Sequence, residues 1–131
     1  MKLLTLGAVL SFTAAASHAG IAITGAPDVY AAAAEAGSAS PTLITLMLAA
    51  LFAVWGLYAL AASGKIAPLP LMGPAIHAIT AIYLVRGMFL LPQLLGHNIF
   101  TAHYNVTPRD LVFSAIALAI GLIHLAGSEA R

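Results

Sequence analysis

The sequence predicts an all-α integral membrane protein, an up-down four-helix bundle with a short interfacial helix after the first span. Four apolar stretches reach the length that crosses a bilayer, since a helix rises about 1.5 Å per residue and roughly 20 residues span the hydrocarbon. The composition agrees, because 62% of the 131 residues are hydrophobic and 7% are charged, against about 25% charged in soluble domains. We expect one transmembrane domain, residues 1–131, with spans at about 3–23, 41–63, 70–91 and 108–127.

The first span has two interpretations. Lys2 and the apolar run after it, followed by Ser17-His18-Ala19, also fit a signal peptide with a small-x-small cleavage site. Hydrophobicity continues past that site through Ile23, which completes a span. We therefore favour a retained helix, and cleavage after this site would leave three spans.

The connection after the first span is expected to hold the short interfacial helix. Its four consecutive alanines, residues 31–34, favour helix. Pro27 can start this helix and Gly37 can end it. We predict that it lies on the outer membrane face, with Asp28 and Glu35 on one side because they are two turns apart.

The boundaries of the other spans carry turn chemistry. Ser40-Pro41 offers an N-cap and a first-turn proline to the second span. Thr107-Pro108 does the same for the fourth span, with Asp110 at its third helical position. Gly73-Pro74 delays the regular start of the third span, and Pro92 ends or kinks it.

Positive charges set the predicted orientation. Lys2, Lys65 and Arg131 lie at the N-terminus, in the second connection and at the C-terminus, whereas residues 24–40 of the first connection contain no Lys or Arg. The positive-inside rule therefore places both termini in the cytoplasm. Arg109, at the outer end of the fourth span, is the exception.

Charge, cysteine content and motifs exclude several classes of function. The net charge is +1, and the sequence has neither a basic cluster for nucleic acid nor the Lys/Arg runs that bind anionic lipid, so a nucleic-acid partner is not expected. The sequence has no Cys, which excludes disulfides and thiolate catalysis. It also lacks a phosphate-binding glycine loop, H-E-x-x-H and G-x-S-x-G, so no catalytic residue is predicted. The expected partners are the lipid bilayer and other membrane subunits or a second copy.

Small residues predict which helix faces pack. Lipid is as apolar as leucine, so membrane helices associate through small residues that let backbones approach. At 100° per residue, each span carries such residues on one face, which predicts that three histidines point into the bundle. The four stripes are Gly7, Ser11, Ala14, Ala15 and His18; Thr42, Thr45, Ala49, Ala53 and Gly56; Gly73, His77, Thr80, Leu84 and Gly87; and Asp110, Ser114, Ala117, Gly121 and His124.

Arg86 is the most informative single residue, because a charged side chain within a span is costly and marks a candidate functional site. It lies near the outer end of the third span, at a depth similar to His18. With Tyr83 and the loop acids Asp28 and Glu35, these residues could bind an anionic or quinone-like headgroup. The alternative is structural, an Arg86–Glu35 ion pair that ties the loop helix to the bundle, and we favour it.

The remaining histidines are weaker candidates. His77 and His124 lie at comparable depth, and two inward imidazoles at one level could ligate a b-type haem. His97 and His103, in the second outer loop, could bind copper or zinc. A buried histidine bonded to a hydroxyl or carbonyl is commoner than either site, so the cofactor stays open.

Three motifs carry a family resemblance. They are Gly25-Ala26-Pro27-Asp28-Val29-Tyr30, Trp55-Gly56-Leu57-Tyr58-Ala59-Leu60 and Ile82-Tyr83-Leu84-Val85-Arg86-Gly87. With them the chain resembles a group of uncharacterised four-span bacterial inner-membrane proteins and, more distantly, the DoxX-like proteins, some of which are linked to quinone-coupled oxidation. The resemblance implies topology only, and it carries no activity over. The expected location is the bacterial inner membrane.

Two functions follow as predictions. The first is a non-enzymatic accessory, assembly or scaffold subunit, which agrees with the small-residue stripes and the lack of catalytic motifs. The second is a binder of a small hydrophobic or anionic ligand, of quinone or haem type, through the outer Arg, His, Glu and Tyr side chains. A channel is disfavoured, because the spans carry no acid at mid-membrane.

Overall fold

In the computed structural model of the protein, the structure describes residues 2–25, 41–97 and 106–130. The described residues fold entirely as helices and connections, which confirms the predicted all-α class. The short interfacial helix predicted between the first two spans lies outside the described residues. The helices are α1 (Lys2–Thr24), α2 (Pro41–Ala62), α3 (Met72–Met88), α4 (Leu90–Leu94) and α5 (Pro108–Glu129).

Within the described residues, four stretches of helix are long and apolar enough to cross a membrane, so the chain is a multi-pass membrane protein. α1 continues past Ala19, the end of the candidate cleavage site, to Thr24. Helices α3 and α4 together make one span, as the predicted third span requires. The four candidate spans are Lys2–Thr24, Thr42–Ala62, Met72–Leu94 and Pro108–Glu129.

The fourth span begins at the predicted capping box. The Thr107 hydroxyl accepts the Asp110 backbone N–H at 3.3 Å, and the Asp110 carboxylate accepts the Thr107 backbone N–H at 2.8 Å. Two N–H groups that the helix leaves unpaired are thereby satisfied. Pro108, at the first helical position, lacks an N–H to satisfy.

The third span is broken where Pro92 predicts. α3 ends at Met88 and α4 begins at Leu90, because Pro92 has no N–H for the Met88 carbonyl and its ring crowds that oxygen. α4 ends before Gly96, whose φ of 81° is the left-handed geometry that terminates helices. At its other end α3 starts two residues later than predicted, after Leu71 with a φ of 53°.

The helices form two pairs that close into a ring. α1 packs most extensively on α2, and α3 on α5. Smaller contacts of α1 with α5 and of α2 with α3 join the pairs. α4 also packs on α5, the helix that α3 contacts most extensively. The order around the ring is therefore α1, α2, α3 and α5, as in an up-down bundle.

Most residues of the predicted stripes face these contacts. A Cβ built on Gly87 would lie 2.5 Å from the Leu118 backbone nitrogen, and one on Gly121 would lie 2.9 Å from the Leu84 nitrogen. The absence of a side chain at both positions thus sets the distance between α3 and α5. The buried stripe members are Gly7, Ser11, Ala15, Thr45, Ala49, Gly56, Thr80, Gly87, Ser114, Ala117, Gly121 and His124.

The predicted inward position of His77 is wrong. His77 is exposed, and its ring Nδ1–H donates to the Gly73 carbonyl of its own helix at 2.7 Å. α3 instead turns Ile76, Ile79 and Tyr83 into the bundle. Burial of the larger apolar side chains keeps the imidazole out of the interior. Thr42, at the beginning of the α2 stripe, is likewise exposed.

The centre of the bundle is aromatic. The Trp55 ring lies edge-on to Tyr83, with centroids 4.9 Å apart, and edge-on to Phe52 at 5.3 Å. Only 8% of Trp55 is exposed, so it packs inside rather than anchoring at the interface. The sequence holds a single tryptophan, so its emission reports on this contact between α2 and α3.

Candidate functional site

Arg86 heads a chain of hydrogen bonds that joins three helices. Its guanidinium donates to the Ser114 hydroxyl at 2.6 Å, and that hydroxyl donates to the Gln93 side-chain carbonyl at 2.6 Å. Arg86 belongs to α3, Gln93 to α4 and Ser114 to α5. Ser114 is 0% and Gln93 3% exposed, and we call Arg86, Ser114 and Gln93 the outer polar chain.

The charge of Arg86 is balanced locally. Arg86 is half-buried in the last turn of α3, where the negative end of the helix dipole favours a cation. Asp110, which lies one turn before Ser114 on α5, also attracts the guanidinium electrostatically. The cost of holding a guanidinium at membrane depth is offset by these groups and by the charge-assisted bond to Ser114.

A second polar group lies deeper in the bundle. The Ser11 and Tyr83 hydroxyls are 3.0 Å apart, within hydrogen-bond distance, and join α1 to α3. The Tyr83 ring also lies 5.6 Å from the His124 ring of α5, between centroids. All three side chains are buried. We call Ser11, Tyr83 and His124 the inner polar cluster.

His124 is the unusual member of the inner polar cluster. It is 0% exposed, and neither ring nitrogen has a hydrogen-bond partner among the described residues. The ring lies against the Gly7 backbone, where an added Cβ would be 2.6 Å from Nε2. Glycine is therefore required opposite the ring, and α1 and α5 meet at this point.

The inner polar cluster predicts that the Ser11 and Tyr83 hydroxyls stabilise the bundle through one shared hydrogen bond. Tyr83→Phe is expected to lower the free energy of unfolding by about 0.5–1.5 kcal/mol, because one buried interhelical hydrogen bond is lost. The measurement is unfolding in sodium dodecyl sulfate added to bicelles, followed by Trp55 emission. Ser11→Ala in the Tyr83→Phe background should cost little more, since the bond is already gone. Additive losses would show that the two hydroxyls are not coupled.

The other ligand candidates make separate contacts. His18 is half-buried, with its Nδ1–H donating to the Ala14 carbonyl at 2.8 Å and its ring 5.0 Å from Phe52. The Tyr83 hydroxyl lies within hydrogen-bond distance of the Ser11 hydroxyl, at 3.0 Å. Asp28 and Glu35 lie outside the described residues. Of the predicted outer cluster, the described residues therefore include His18, Tyr83 and Arg86.

The haem pair predicted from the sequence does not form, and only one histidine of the metal pair lies within the described residues. His77 points outward and His124 inward, so they do not form the predicted inward pair. His97 is exposed after α4, and His103 lies outside the described residues. Among the described residues, no group of three or more His, Cys, Asp or Glu side chains could hold a metal ion.

Sequence reasoning missed Gln93, which accepts a hydrogen bond from Ser114 in the outer polar chain. The signal was present, because an amide side chain in an apolar span requires a hydrogen-bond partner. Comparison with known protein families, curated proteins and solved structures finds no match for this chain.

Proposed function

We propose that the chain is a non-enzymatic accessory, assembly or scaffold subunit of a bacterial inner-membrane complex. The observation that carries this proposal is a second stripe of small residues on α1, which faces away from the bundle. Ser17, Thr13 and Thr24 are exposed, and Gly20 is half-buried. Their spacing of four, three and four residues keeps them on one helix face. We call these four residues the lateral stripe.

Gly20 distinguishes the lateral stripe from the packed stripes. Each of Gly7, Gly56, Gly87 and Gly121 would push a Cβ into a neighbouring helix, whereas a Cβ on Gly20 meets no atom of the described residues within 4 Å. Small residues gain nothing from contact with lipid, but they let a second helix approach closely. The lateral stripe therefore suits a transmembrane helix of another subunit.

The hydroxyls of the lateral stripe support this assignment. Thr13, Ser17 and Thr24 donate to carbonyls one turn earlier in α1, at 2.8–2.9 Å. Their hydrogens are thus satisfied within the helix. What remains outward is a shallow face of methyl groups and accepting oxygens, which can pack against a helix without unpaired donors.

The interior supports a structural role as well. In the outer polar chain, Arg86, Ser114 and Gln93 form hydrogen bonds between helices. The Ser11–Tyr83 hydrogen bond likewise joins α1 to α3. Side chains that chemistry could use are thereby committed to holding the bundle together. The positive residues Lys2 and Lys65 support cytoplasmic termini by the positive-inside rule.

His124 favours a second candidate function, a binder of a small hydrophobic or anionic ligand of quinone or haem type. A buried imidazole without a hydrogen-bond partner costs about 1–3 kcal/mol, and such groups often have a functional reason. The close contact of the ring with Gly7 leaves little space on that side. The ligand would have to reach the inner polar cluster from the Tyr83 side, past Phe52 and Trp55.

The test is a native mass spectrum of the protein extracted gently from its own membrane, with a Gly20→Leu variant beside it. We expect a partner chain in the wild-type complex and a loss of at least about tenfold in Gly20→Leu, because the leucine holds the two helices apart. The variant itself should remain folded, since leucine favours helix over glycine by about 1 kcal/mol.

Ala50→Leu is the matched control, because Ala50 is also exposed on a spanning helix but outside the lateral stripe. It should leave the complex unchanged. Equal losses in the two variants would contradict the use of the lateral stripe. A bare chain carrying the added mass of a quinone or haem would overturn the subunit proposal in favour of the ligand binder.

A further inference from the structure

A basic cavity lies at the end of the bundle that carries the N-terminus. It has a volume of about 250 Å³ and is lined by Lys2, Thr5, Ser63 and Lys65. Two of the five Lys and Arg residues of the chain therefore meet there, although one begins α1 and the other follows α2. Neither α1 nor the connection from residue 63 to 71 contains Asp or Glu, so these segments bring no negative side chain to the cavity.

The end of α2 holds Lys65 in place. Gly64 adopts a φ of 76°, its N–H donates to the Ala61 carbonyl at 3.0 Å, and the Lys65 N–H donates to the Leu60 carbonyl at 3.1 Å. This pair of bonds is a Schellman motif. It satisfies carbonyls whose partial negative charge would repel an anion, and it places Lys65 directly beyond the helix.

The start of α1 adds positive potential to the same cavity. Lys2 is the first helical residue and Thr5 lies one turn later. The first N–H groups of a helix have no partner within it, and the helix dipole is positive at this end. The Ser63 hydroxyl donates to the Leu60 carbonyl at 2.8 Å, so it shapes the wall and leaves the two ammonium groups as the main donors.

We propose that this cavity binds the phosphate group of an anionic phospholipid, such as cardiolipin or phosphatidylglycerol. Ligand pockets for whole small molecules are typically about 300–1,000 Å³, so the cavity suits a phosphate rather than a complete ligand. The acyl chains would lie along the exposed apolar faces nearby, at Leu3 and Leu6 of α1 and Leu57 of α2. Basic sites between spanning helices recognise acidic headgroups in this way.

The test is a cardiolipin titration of the full-length protein in dodecyl maltoside, with bound lipid counted by native mass spectrometry. Lys65→Gln is expected to weaken cardiolipin binding about fivefold, because a lysine near an anionic lipid contributes about 1 kcal/mol to binding. The double variant Lys2→Gln with Lys65→Gln is expected to weaken it roughly 25-fold. Lys65→Arg should retain binding, because it keeps the charge. Unchanged Trp55 emission would establish that each variant is folded.

Arg109→Gln is the matched control, since it removes one positive charge at the opposite end of the bundle, where α5 begins. It should bind cardiolipin as the wild type does. A loss equal to that of Lys65→Gln would overturn the proposal, because binding would then follow net charge. Full displacement of cardiolipin by about 10 mM inorganic phosphate, roughly 10,000 times a lipid dissociation constant of about 1 μM, would also overturn it in favour of a free-phosphate site.

Discussion

Gly87→Ala is expected to lower the free energy of unfolding by about 2 kcal/mol, within the 1–3 kcal/mol range of overpacked interiors. The added Cβ would lie 2.5 Å from the Leu118 nitrogen. This atom belongs to the α5 backbone and cannot turn aside as a flexible side chain can. α3 and α5 must therefore separate, and packing is lost along their whole contact. The measurement is unfolding in sodium dodecyl sulfate added to bicelles, followed by Trp55 emission.

Gly73→Ala is the matched control for that experiment. Gly73 lies in the same helix, and a Cβ there meets no atom of the described residues within 4 Å. The substitution should be neutral or stabilise by up to about 1 kcal/mol, because alanine favours helix more than glycine does. If Gly87→Ala were as well tolerated as Gly73→Ala, α3 and α5 could not be packed as closely as described.

Ser114→Ala is expected to lower the free energy of unfolding by about 2 kcal/mol. This loss exceeds the average of about 0.6 kcal/mol for one hydrogen bond between membrane helices. The reason is the position of Ser114 in the outer polar chain. One hydroxyl serves a charged donor, Arg86, and a buried acceptor, Gln93, so its loss affects both at once. The same unfolding measurement applies, and the loss should persist at high salt because the hydroxyl is buried.

Ser128→Ala provides the comparison within α5. The Ser128 hydroxyl donates to the Leu125 carbonyl of its own helix at 2.8 Å, so its removal should change the free energy of unfolding by less than about 0.5 kcal/mol. Gln93→Leu in the Ser114→Ala background should recover part of the loss, since the unpaired amide is removed. A cost for Ser114→Ala no larger than that for Ser128→Ala would mean that the outer polar chain does not stabilise the bundle.

The helices could be predicted because their signals are local. Span length needs only a count of apolar residues. The capping box at Thr107 and Asp110 involves residues three positions apart, and the break before Pro92 follows from one missing N–H. The glycines at the α3–α5 contact were found from their spacing alone, because small residues have few uses in a bilayer other than close approach.

The rotation of α3 about its own axis could not be predicted in the same way. In water, the contrast between apolar and polar faces identifies the buried side, but in lipid both faces are apolar. The spacing of the small residues predicts that His77 faces inward, whereas the structure buries the neighbouring position, Ile76. Neighbouring residues lie 100° apart around a helix. An error of that size in the predicted rotation of α3 places His77 inside the bundle instead of Ile76.

The outer polar chain was missed for a related reason. Gln93 and Ser114 are 21 residues apart in sequence, and Arg86 and Ser114 are 28 apart. Arg86 was recognised as a candidate because a charge in a span is costly by itself. Its partners depend on how α4 turns after the break and on the depth of α5, which are properties of the assembled bundle.

The pairing of the helices also sets an order for biosynthesis. α1 packs most extensively on α2, which follows it directly in the chain, and α3 packs most extensively on α5. The first hairpin can thus close while the second is still being made. The two hairpins then join where Gly127 meets Leu4 and where His124 meets Gly7. Because these contacts connect the first turns of the chain to its last, the ring is complete only after the end of α5 has left the ribosome.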